Sequence, residues 1–108
     1  MIEDAAEAIG SYYKNKHAGT FGKIGVLSFN GNKIMTTGAG GAVITNSKNL
    51  ADRVRFLSTT SKSYRKNNLI YNEVGYNYKM PSLNAAMGIG QLKKLNGLVK
   101  SLRKLLKN

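Results

Sequence analysis

A glycine-rich segment, residues 28–41, lies between two short apolar runs. The runs, Ile24–Leu27 and Ala42–Thr45, contain β-branched residues and are flanked by glycine, so both are predicted to form strands. The segment between them holds four glycines and one lysine, Lys33. Glycine lets a backbone approach a ligand closely, and a lysine in a confined site can become a nucleophile. Two interpretations stay open: a β-hairpin with a solvated lysine, or a ligand-binding loop with a reactive one.

Size and composition limit the possible folds. The 108 residues allow one small domain with a modest core, and the apolar fraction of 42% is typical of globular proteins. No apolar run reaches the length of a membrane span. The absence of cysteine excludes disulfides and thiolate metal sites. His17, the single histidine, has no histidine or carboxylate neighbours in the sequence, so we expect a surface position and no metal.

The net charge of +12 is unevenly distributed along the chain. Residues 61–108 contain ten Lys or Arg against one Asp or Glu. Such a balance raises nucleic acid or an acidic membrane as a partner, yet no zinc-finger, RNP-like or GXXG motif accompanies it. The charge therefore keeps open one rival function, a non-enzymatic basic binding protein or decayed gene fragment that adheres to nucleic acid or acidic lipid, without predicting a specific nucleic-acid site.

Two helices are predicted after the glycine-rich segment. The first covers about residues 49–57, where one face carries Leu50, Val54 and Leu57. The second is long and amphipathic, spans residues 81–108 and begins at a proline. Its apolar face could bind an acidic membrane surface, but packing against protein is favoured. Residues 58–68 show no periodicity and are predicted to be a loop.

Three blocks occur in an order that is typical of one enzyme family. They are residues 3–8 (EDAAEA), residues 28–41 (SFNGNKIMTTGAGG) and residues 73–88 (EVGYNYKMPSLNAAMG). Together they resemble the DegT/DnrJ/StrS-type sugar-nucleotide aminotransferases, which depend on pyridoxal phosphate. The resemblance extends over nearly the whole chain.

The resemblance implies an α/β fold, the C-terminal part of the large domain of a fold-type-I pyridoxal-phosphate-dependent transferase, with a mostly parallel sheet and flanking helices. Residues 1–80 would be part of the cofactor-binding large domain. Residues 81–108 would be the long helix leading toward a small domain that the chain lacks. We therefore expect a fragment, inactive alone, of a cytoplasmic enzyme that forms a homodimer when complete.

The resemblance also implies roles for residues of the first two blocks. Lys33 would hold the cofactor covalently and move the proton between substrate and cofactor. Asp4 would pair with the protonated pyridine nitrogen and keep the ring electron-accepting. From the sequence alone, Asp4 could instead cap a helical turn that ends at Gly10. Glu7 would lie near the cofactor ring, and Ser28 would hydrogen-bond the phosphate.

Asn77, in the third block, would reach the cofactor phosphate of the partner subunit in a dimer. From the sequence alone, an asparagine after Gly75-Tyr76 also fits a turn residue with positive φ.

The implied reaction transfers an amino group from glutamate to a nucleotide-linked keto-sugar, for cell-surface polysaccharide or glycan synthesis. Some relatives are dehydratases in which the lysine is replaced, so Lys33 favours the transaminase branch. The blocks most resemble enzymes that use 4-keto-sugars to make bacillosamine-like or legionaminic-acid-like products. The expected cofactor is pyridoxal phosphate, and the expected small-molecule partners are glutamate and the nucleotide-linked keto-sugar.

Overall fold

The computed structural model describes residues 1–66 and 68–107. The elements of this part of the chain are, in order, β1 (Ile2–Asp4), β2 (Tyr12–Tyr13), β3 (Lys16–His17), β4 (Ile24–Ser28), β5 (Gly41–Ile44), α1 (Lys48–Ser58), β6 (Lys62–Arg65), β7 (Asn68–Tyr71) and α2 (Ser82–Leu105).

Strands β1, β4 and β5 form one sheet with β4 in the centre. β1 runs parallel to β4, with Asp4 opposite Val26, and β5 runs antiparallel to it, with Gly41 opposite Ser28. The two strands predicted around the glycine-rich segment are therefore confirmed within one residue at each end. Because β1 and β4 are parallel, their carboxyl ends lie at the same edge of the sheet, where the glycine-rich loop also emerges.

The turn at residues 19–22 lies directly against the backbone of β4. A Cβ atom added to Gly25, in the middle of β4, would overlap the carbonyl group of Gly19. The carboxylate of Glu3 accepts hydrogen bonds from the N–H groups of Gly19 (2.7 Å) and Gly22. Glu3 thus fixes this turn to β1, and the missing side chain at Gly25 makes room for it.

Both predicted helices are present. α1 matches the predicted residues 49–57 to within one residue, and α2 begins as predicted but ends at Leu105, before the predicted end at residue 108, which lies outside the described residues. Ser47 caps α1, and its hydroxyl accepts a hydrogen bond from the Leu50 N–H (3.4 Å). α2 packs against the rest of the chain near both of its ends. Asn84 Nδ2 donates to the Thr37 carbonyl oxygen (2.6 Å), and Arg103 Nη2 donates to the Gly10 carbonyl oxygen (2.8 Å). These two contacts are polar. Of the predicted apolar face, Val99 lies close to Gly10, whereas Leu102, Leu105 and Leu106 remain 42%, 70% and 87% exposed, so only part of that face packs against the described chain.

The prediction of a loop at residues 58–68 is wrong for most of this segment. β6 and β7 pair as an antiparallel hairpin, with Lys62 opposite Tyr71 and Arg65 opposite Asn68. Lys66, which follows β6, has a φ of +48°, and Asn67 lies outside the described residues. The hairpin faces solvent on both sides along most of its length, so burial imposes no apolar alternation on its sequence. That absence of pattern explains the error.

Two further differences concern the N-terminal third. A short hairpin, β2–β3, turns through Lys14 and Asn15, whose φ angles are +47° and +61°, the conformation that two-residue hairpin turns require.

No helical turn follows Asp4. Residues 5–8 instead form a single turn, closed by a hydrogen bond from the Ala8 N–H to the Ala5 carbonyl oxygen (2.9 Å). The helix-cap interpretation of Asp4 is therefore wrong.

The chain buries little apolar surface. Among the described residues, the fully buried apolar side chains are Ala5 and Met35. On the sheet, Val26 and Val43 are directly opposite each other and remain 38% and 43% exposed. One face of the sheet is therefore largely uncovered. Within the described residues, neither helix combines the length and the hydrophobicity that crossing a bilayer requires.

Candidate active site

Asp4 and Ser28 lie at the same edge of the sheet. Asp4 is the last residue of β1 and Ser28 the last residue of β4, and Ser28 follows by two positions the residue that pairs with Asp4. Parallel pairing brings these carboxyl ends together although the residues are far apart in sequence. In open α/β sheets, ligands bind outside the carboxyl ends of the strands. The sheet therefore places two of the predicted site residues where a ligand is expected.

The loop that follows Ser28 has a fixed base. The Phe29 N–H donates to the Gly40 carbonyl oxygen (2.9 Å), and the Thr37 N–H donates to the Phe29 carbonyl oxygen (2.9 Å). Thr37 is only 1% exposed. Gly38 and Gly40 adopt φ of +80° and +103°, which glycine tolerates at little cost. These contacts give the loop a defined shape at its junction with the sheet.

Lys33 lies within this loop in a confined position. The backbone N–H of Lys33 donates to the Asn30 carbonyl oxygen (3.1 Å), and this hydrogen bond closes a tight turn. Its side chain is only 12% exposed, and Nζ forms an ion pair with Glu7 Oε1. The β-hairpin of the first interpretation is present, since β4 and β5 pair with each other and this loop connects them. The solvated lysine of that interpretation is not present, because most of the Lys33 side chain is shielded from solvent.

Asp4 and Ser28 keep polar atoms available for a ligand. Asp4 Oδ1 accepts a hydrogen bond from the Ala6 N–H (3.1 Å), and the second oxygen of this exposed carboxylate is available to a ligand. The Ser28 hydroxyl accepts a long hydrogen bond from the Asn30 N–H (3.5 Å), which leaves its proton free to be donated. The site thus offers an amine, a carboxylate and a hydroxyl at one strand edge.

Asn77 lies elsewhere in the chain. It forms a β-bridge with Thr59, beyond the end of α1, and its side chain is exposed. The neighbouring Tyr76 and Tyr78 rings stack with centroids 5.2 Å apart. A backbone paired in this way is extended, so the turn-residue interpretation of Asn77 is wrong. The fold brings Asp4, Glu7, Ser28 and Lys33 to one edge and leaves Asn77 outside that group.

Sequence reasoning missed the role of Glu3. Adjacent side chains on a strand point to opposite faces, so Glu3 turns away from the side taken by Asp4. The backbone N–H of Gly22 lowers the pKa of Glu3 below its usual value, and the Gly19 N–H acts in the same direction. The signal was the Gly19-Thr20-Phe21-Gly22 turn, whose amides need acceptors. Glu3 supplies them and holds β1 in register beside the site.

His17 serves the fold. Its Nε2 accepts a hydrogen bond from the Gly10 N–H (2.9 Å), and its Nδ1 lies 2.5 Å from the Ala18 carbonyl oxygen, to which it donates. The half-buried ring also meets Tyr12 edge-on at 5.0 Å. The predicted surface position is therefore only partly correct. Across residues 1–66 and 68–107, no cluster of three or more His, Cys, Asp or Glu side chains is placed to hold a metal ion.

The match to a family model decides the relationship to known proteins. The model of the DegT/DnrJ/EryC1/StrS aminotransferase family matches residues 1–108. The chain belongs to this family. EpsN of Bacillus subtilis, assigned as a pyridoxal phosphate-dependent aminotransferase, is 41% identical over 103 residues, which are 95% of this chain and 26% of EpsN. GDP-perosamine synthase of Escherichia coli O157:H7 is 42% identical over 105 residues, 97% of this chain and 29% of that enzyme.

A solved aminotransferase structure supports the fold. Helicobacter pylori PseC, an aminotransferase involved in the biosynthesis of pseudoaminic acid, is 32% identical and superposes with a TM-score of 0.79, covering 86% of this chain and 25% of PseC. The predicted fold class, the α/β architecture of fold-type-I transferases, is confirmed. The chain spans between a quarter and three-tenths of the length of these relatives.

Pyridoxal phosphate is the cofactor that family membership indicates. The side chains of this chain fit it. Its aldehyde requires an amine, its ring nitrogen a carboxylate and its phosphate a set of hydrogen-bond donors. Lys33 has an amine, Asp4 a carboxylate and Ser28 one hydroxyl donor near this strand edge.

Proposed function

We propose that this chain contributes part of the active site of an aminotransferase that uses pyridoxal phosphate, glutamate as amino donor and a nucleotide-linked 4-keto-sugar as acceptor. The product would enter cell-surface polysaccharide or glycan synthesis. GDP-perosamine synthase and PseC, as relatives, support the sugar-linked chemistry. The observation that carries the proposal is the confinement of Lys33, 12% exposed, at the edge that also holds Asp4 and Ser28.

When bound, pyridoxal phosphate would supply an electron-accepting ring for the carbanion left when the substrate loses a proton. Lys33 would hold the cofactor through Nζ and then carry the proton at that atom. The free carboxylate oxygen of Asp4 would accept a hydrogen bond from the ring nitrogen and keep its proton in place. The Ser28 hydroxyl would donate to the phosphate. The rigid loop base at Thr37 would keep Lys33 aligned with these two groups.

The role proposed for Asn77 requires a second copy of the protein. Its exposed side chain, on a segment away from Lys33, is available to a neighbouring molecule. We propose that the complete protein is a cytoplasmic homodimer in which Asn77 serves the cofactor phosphate of its partner. In the same scheme residues 1–80 belong to the large domain, and α2 continues toward a second, smaller domain.

Reductive trapping tests the proposal. The experiment uses the family-length protein, meaning this chain supplied with the flanking segments that its relatives possess. After addition of pyridoxal phosphate and borohydride, peptide mapping should find the pyridoxyl label on Lys33. Lys33→Ala should abolish the label, whereas Lys48→Ala, which removes an exposed lysine of α1, should leave it unchanged. Label on another lysine, retained in Lys33→Ala, would refute the assignment.

A further inference from the structure

The Nζ of Lys33 contacts one carboxylate, that of Glu7, although the chain has five acidic residues. The other four have different partners. Two of them accept hydrogen bonds from backbone N–H groups, Glu3 from Gly19 and Gly22 and Asp4 from Ala6. The other two form ion pairs, Asp52 with Lys48 and Arg55 and Glu73 with Arg53. Glu7 is therefore the counter-ion of the lysine.

The two members of this ion pair are buried to very different extents. Lys33 is 12% exposed, whereas Glu7 is 79% exposed. An exposed carboxylate stays hydrated when its partner leaves, so Glu7 loses little when it is unpaired. A confined ammonium cannot recover full hydration, so Lys33 depends on its partner much more. The pair thus stabilises mainly the lysine.

The position of Glu7 is set by the backbone around it. Residues 5–8 form the turn closed by the hydrogen bond between Ala8 and Ala5, and Asp4 holds the Ala6 amide in the same turn. Ala5 is buried at the start of this turn. Glu7 therefore leaves a fixed turn and meets a fixed loop, and the contact does not rely on two flexible segments finding each other.

We propose that Glu7 is a positioning residue that stabilises Lys33 whenever the lysine amine is free. It thereby shifts the equilibrium between covalently attached and free Lys33 toward the free lysine. The proposal rests on the proposed function, in which Lys33 alternates between covalent attachment to pyridoxal phosphate and release. A free ammonium presents three N–H donors to the carboxylate. A lysine nitrogen bonded to the cofactor keeps at most one, so Glu7 interacts more strongly with the free form.

This arrangement predicts an unusual effect of Glu7→Gln. The amide is isosteric but carries no charge, so the free-lysine protein should lose more stabilisation than the covalent form does. Pyridoxal phosphate should therefore bind about threefold to tenfold more tightly to the variant. Pyridoxamine phosphate, which leaves Lys33 free before and after binding, should bind with unchanged affinity. The same shift should move the equilibrium between the two cofactor forms, titrated with glutamate and 2-oxoglutarate, toward the pyridoxal form.

The experiment measures both dissociation constants by absorbance and fluorescence in the family-length protein. It compares the unmodified protein, Glu7→Gln, Lys33→Ala and the double variant, with Asp52→Asn as a surface-charge control. In the Lys33→Ala background, Glu7→Gln should change neither constant. Weaker binding of both cofactor forms, with or without Lys33, would show that Glu7 acts on the cofactor directly and would overturn the proposal. Failure of the unmodified protein to form a covalent adduct at Lys33 would instead reject the proposed function.

Discussion

The side-chain amide of Asn84 donates a 2.6 Å hydrogen bond to the carbonyl oxygen of Thr37, 47 residues earlier in the chain. Asn84 belongs to the first turn of α2, and Thr37 closes the base of the loop that carries Lys33. The long helix is thereby attached to the lysine loop. Changes in α2 should consequently alter the candidate site without touching it.

Asn84→Ala should therefore loosen the lysine loop. Loss of one partly buried hydrogen bond is expected to lower the free energy of unfolding of the family-length protein by about 1 kcal/mol. Reductive trapping at Lys33 should also become slower, because the loop samples more positions. Urea denaturation and trapping rates provide the two measurements. Asn96→Ala, at an exposed position of the same helix, is the control. Equal effects of the two substitutions would contradict the link.

Two glycines of α2 should respond oppositely to alanine. A Cβ on Gly88 would lie 2.9 Å from the Thr37 Cγ2, and Thr37 is too buried to move aside. Gly88→Ala should cost about 1 to 3 kcal/mol of stability through overpacking. A Cβ on Gly90 meets nothing within 4 Å. Gly90→Ala should add about 0.5 to 1 kcal/mol, since alanine restricts the unfolded chain. Thermal unfolding of both variants distinguishes the signs.

Asp4→Asn should impair chemistry far more than folding. Asp4 is exposed and does not cap a helix, so an isosteric amide should leave the melting temperature nearly unchanged. An amide supplies no negative charge to hold a proton on the ring nitrogen, and turnover should fall by orders of magnitude. Cofactor absorbance, melting temperature and turnover are compared in one preparation. Nearly normal turnover would mean that Asp4 has only a local structural role.

Glu3 should make stability depend on pH in the acid range. Its pKa is lowered from the usual value of 4.5, chiefly by the Gly22 amide, so the folded protein favours the carboxylate. That contribution is complete above the unfolded pKa and is lost as pH falls through the lower, folded pKa. Glu3→Gln should reduce the urea midpoint at neutral pH, and the difference from the unmodified protein should shrink below pH 4.5. A difference that is constant with pH would contradict this account.

Residues 1–108 alone should not catalyse transamination. The chain spans between a quarter and three-tenths of the length of its relatives, and one sheet face is largely uncovered. Sheets with open edges and apolar faces tend to associate. The measurement is formation of 2-oxoglutarate from glutamate in the presence of pyridoxal phosphate and a nucleotide-linked 4-keto-sugar. Turnover comparable to that of ordinary enzymes would show that the site is more complete than we propose.

The sequence predicts some of these elements well for a physical reason. β4, β5 and α1 each shield one side partly from solvent, so their apolar residues recur at strand or helix spacing, with glycine or a capping serine at the boundary. The β6–β7 hairpin exposes most of its residues, and its stability comes from backbone pairing that leaves little trace in composition. Tyr64 and Leu69 lie opposite each other there, a pair visible only once the register is known.

The site is predictable to a similar degree. The family motifs locate Asp4, Ser28 and Lys33, but the Lys33–Glu7 contact joins residues 26 positions apart and depends on how a turn meets a loop. The opposite orientations of Glu3 and Asp4 follow from strand geometry only after β1 has been recognised as a strand. Both features arise from tertiary contacts, which local sequence patterns do not record.

We expect the parallel pairing of β1 with β4 to form after the β4–β5 pairing during folding. β4 and β5 are linked by a single loop and can pair early, so the lysine loop can form from local contacts alone. Pairing β1 with β4 must first close a chain segment of about twenty residues that contains no helix, which is slower. Asp4 and Glu7 therefore join Lys33 only in the later step. A cofactor that needs all three would bind only molecules that have completed the sheet, and by mass action it would pull newly made chains toward that state.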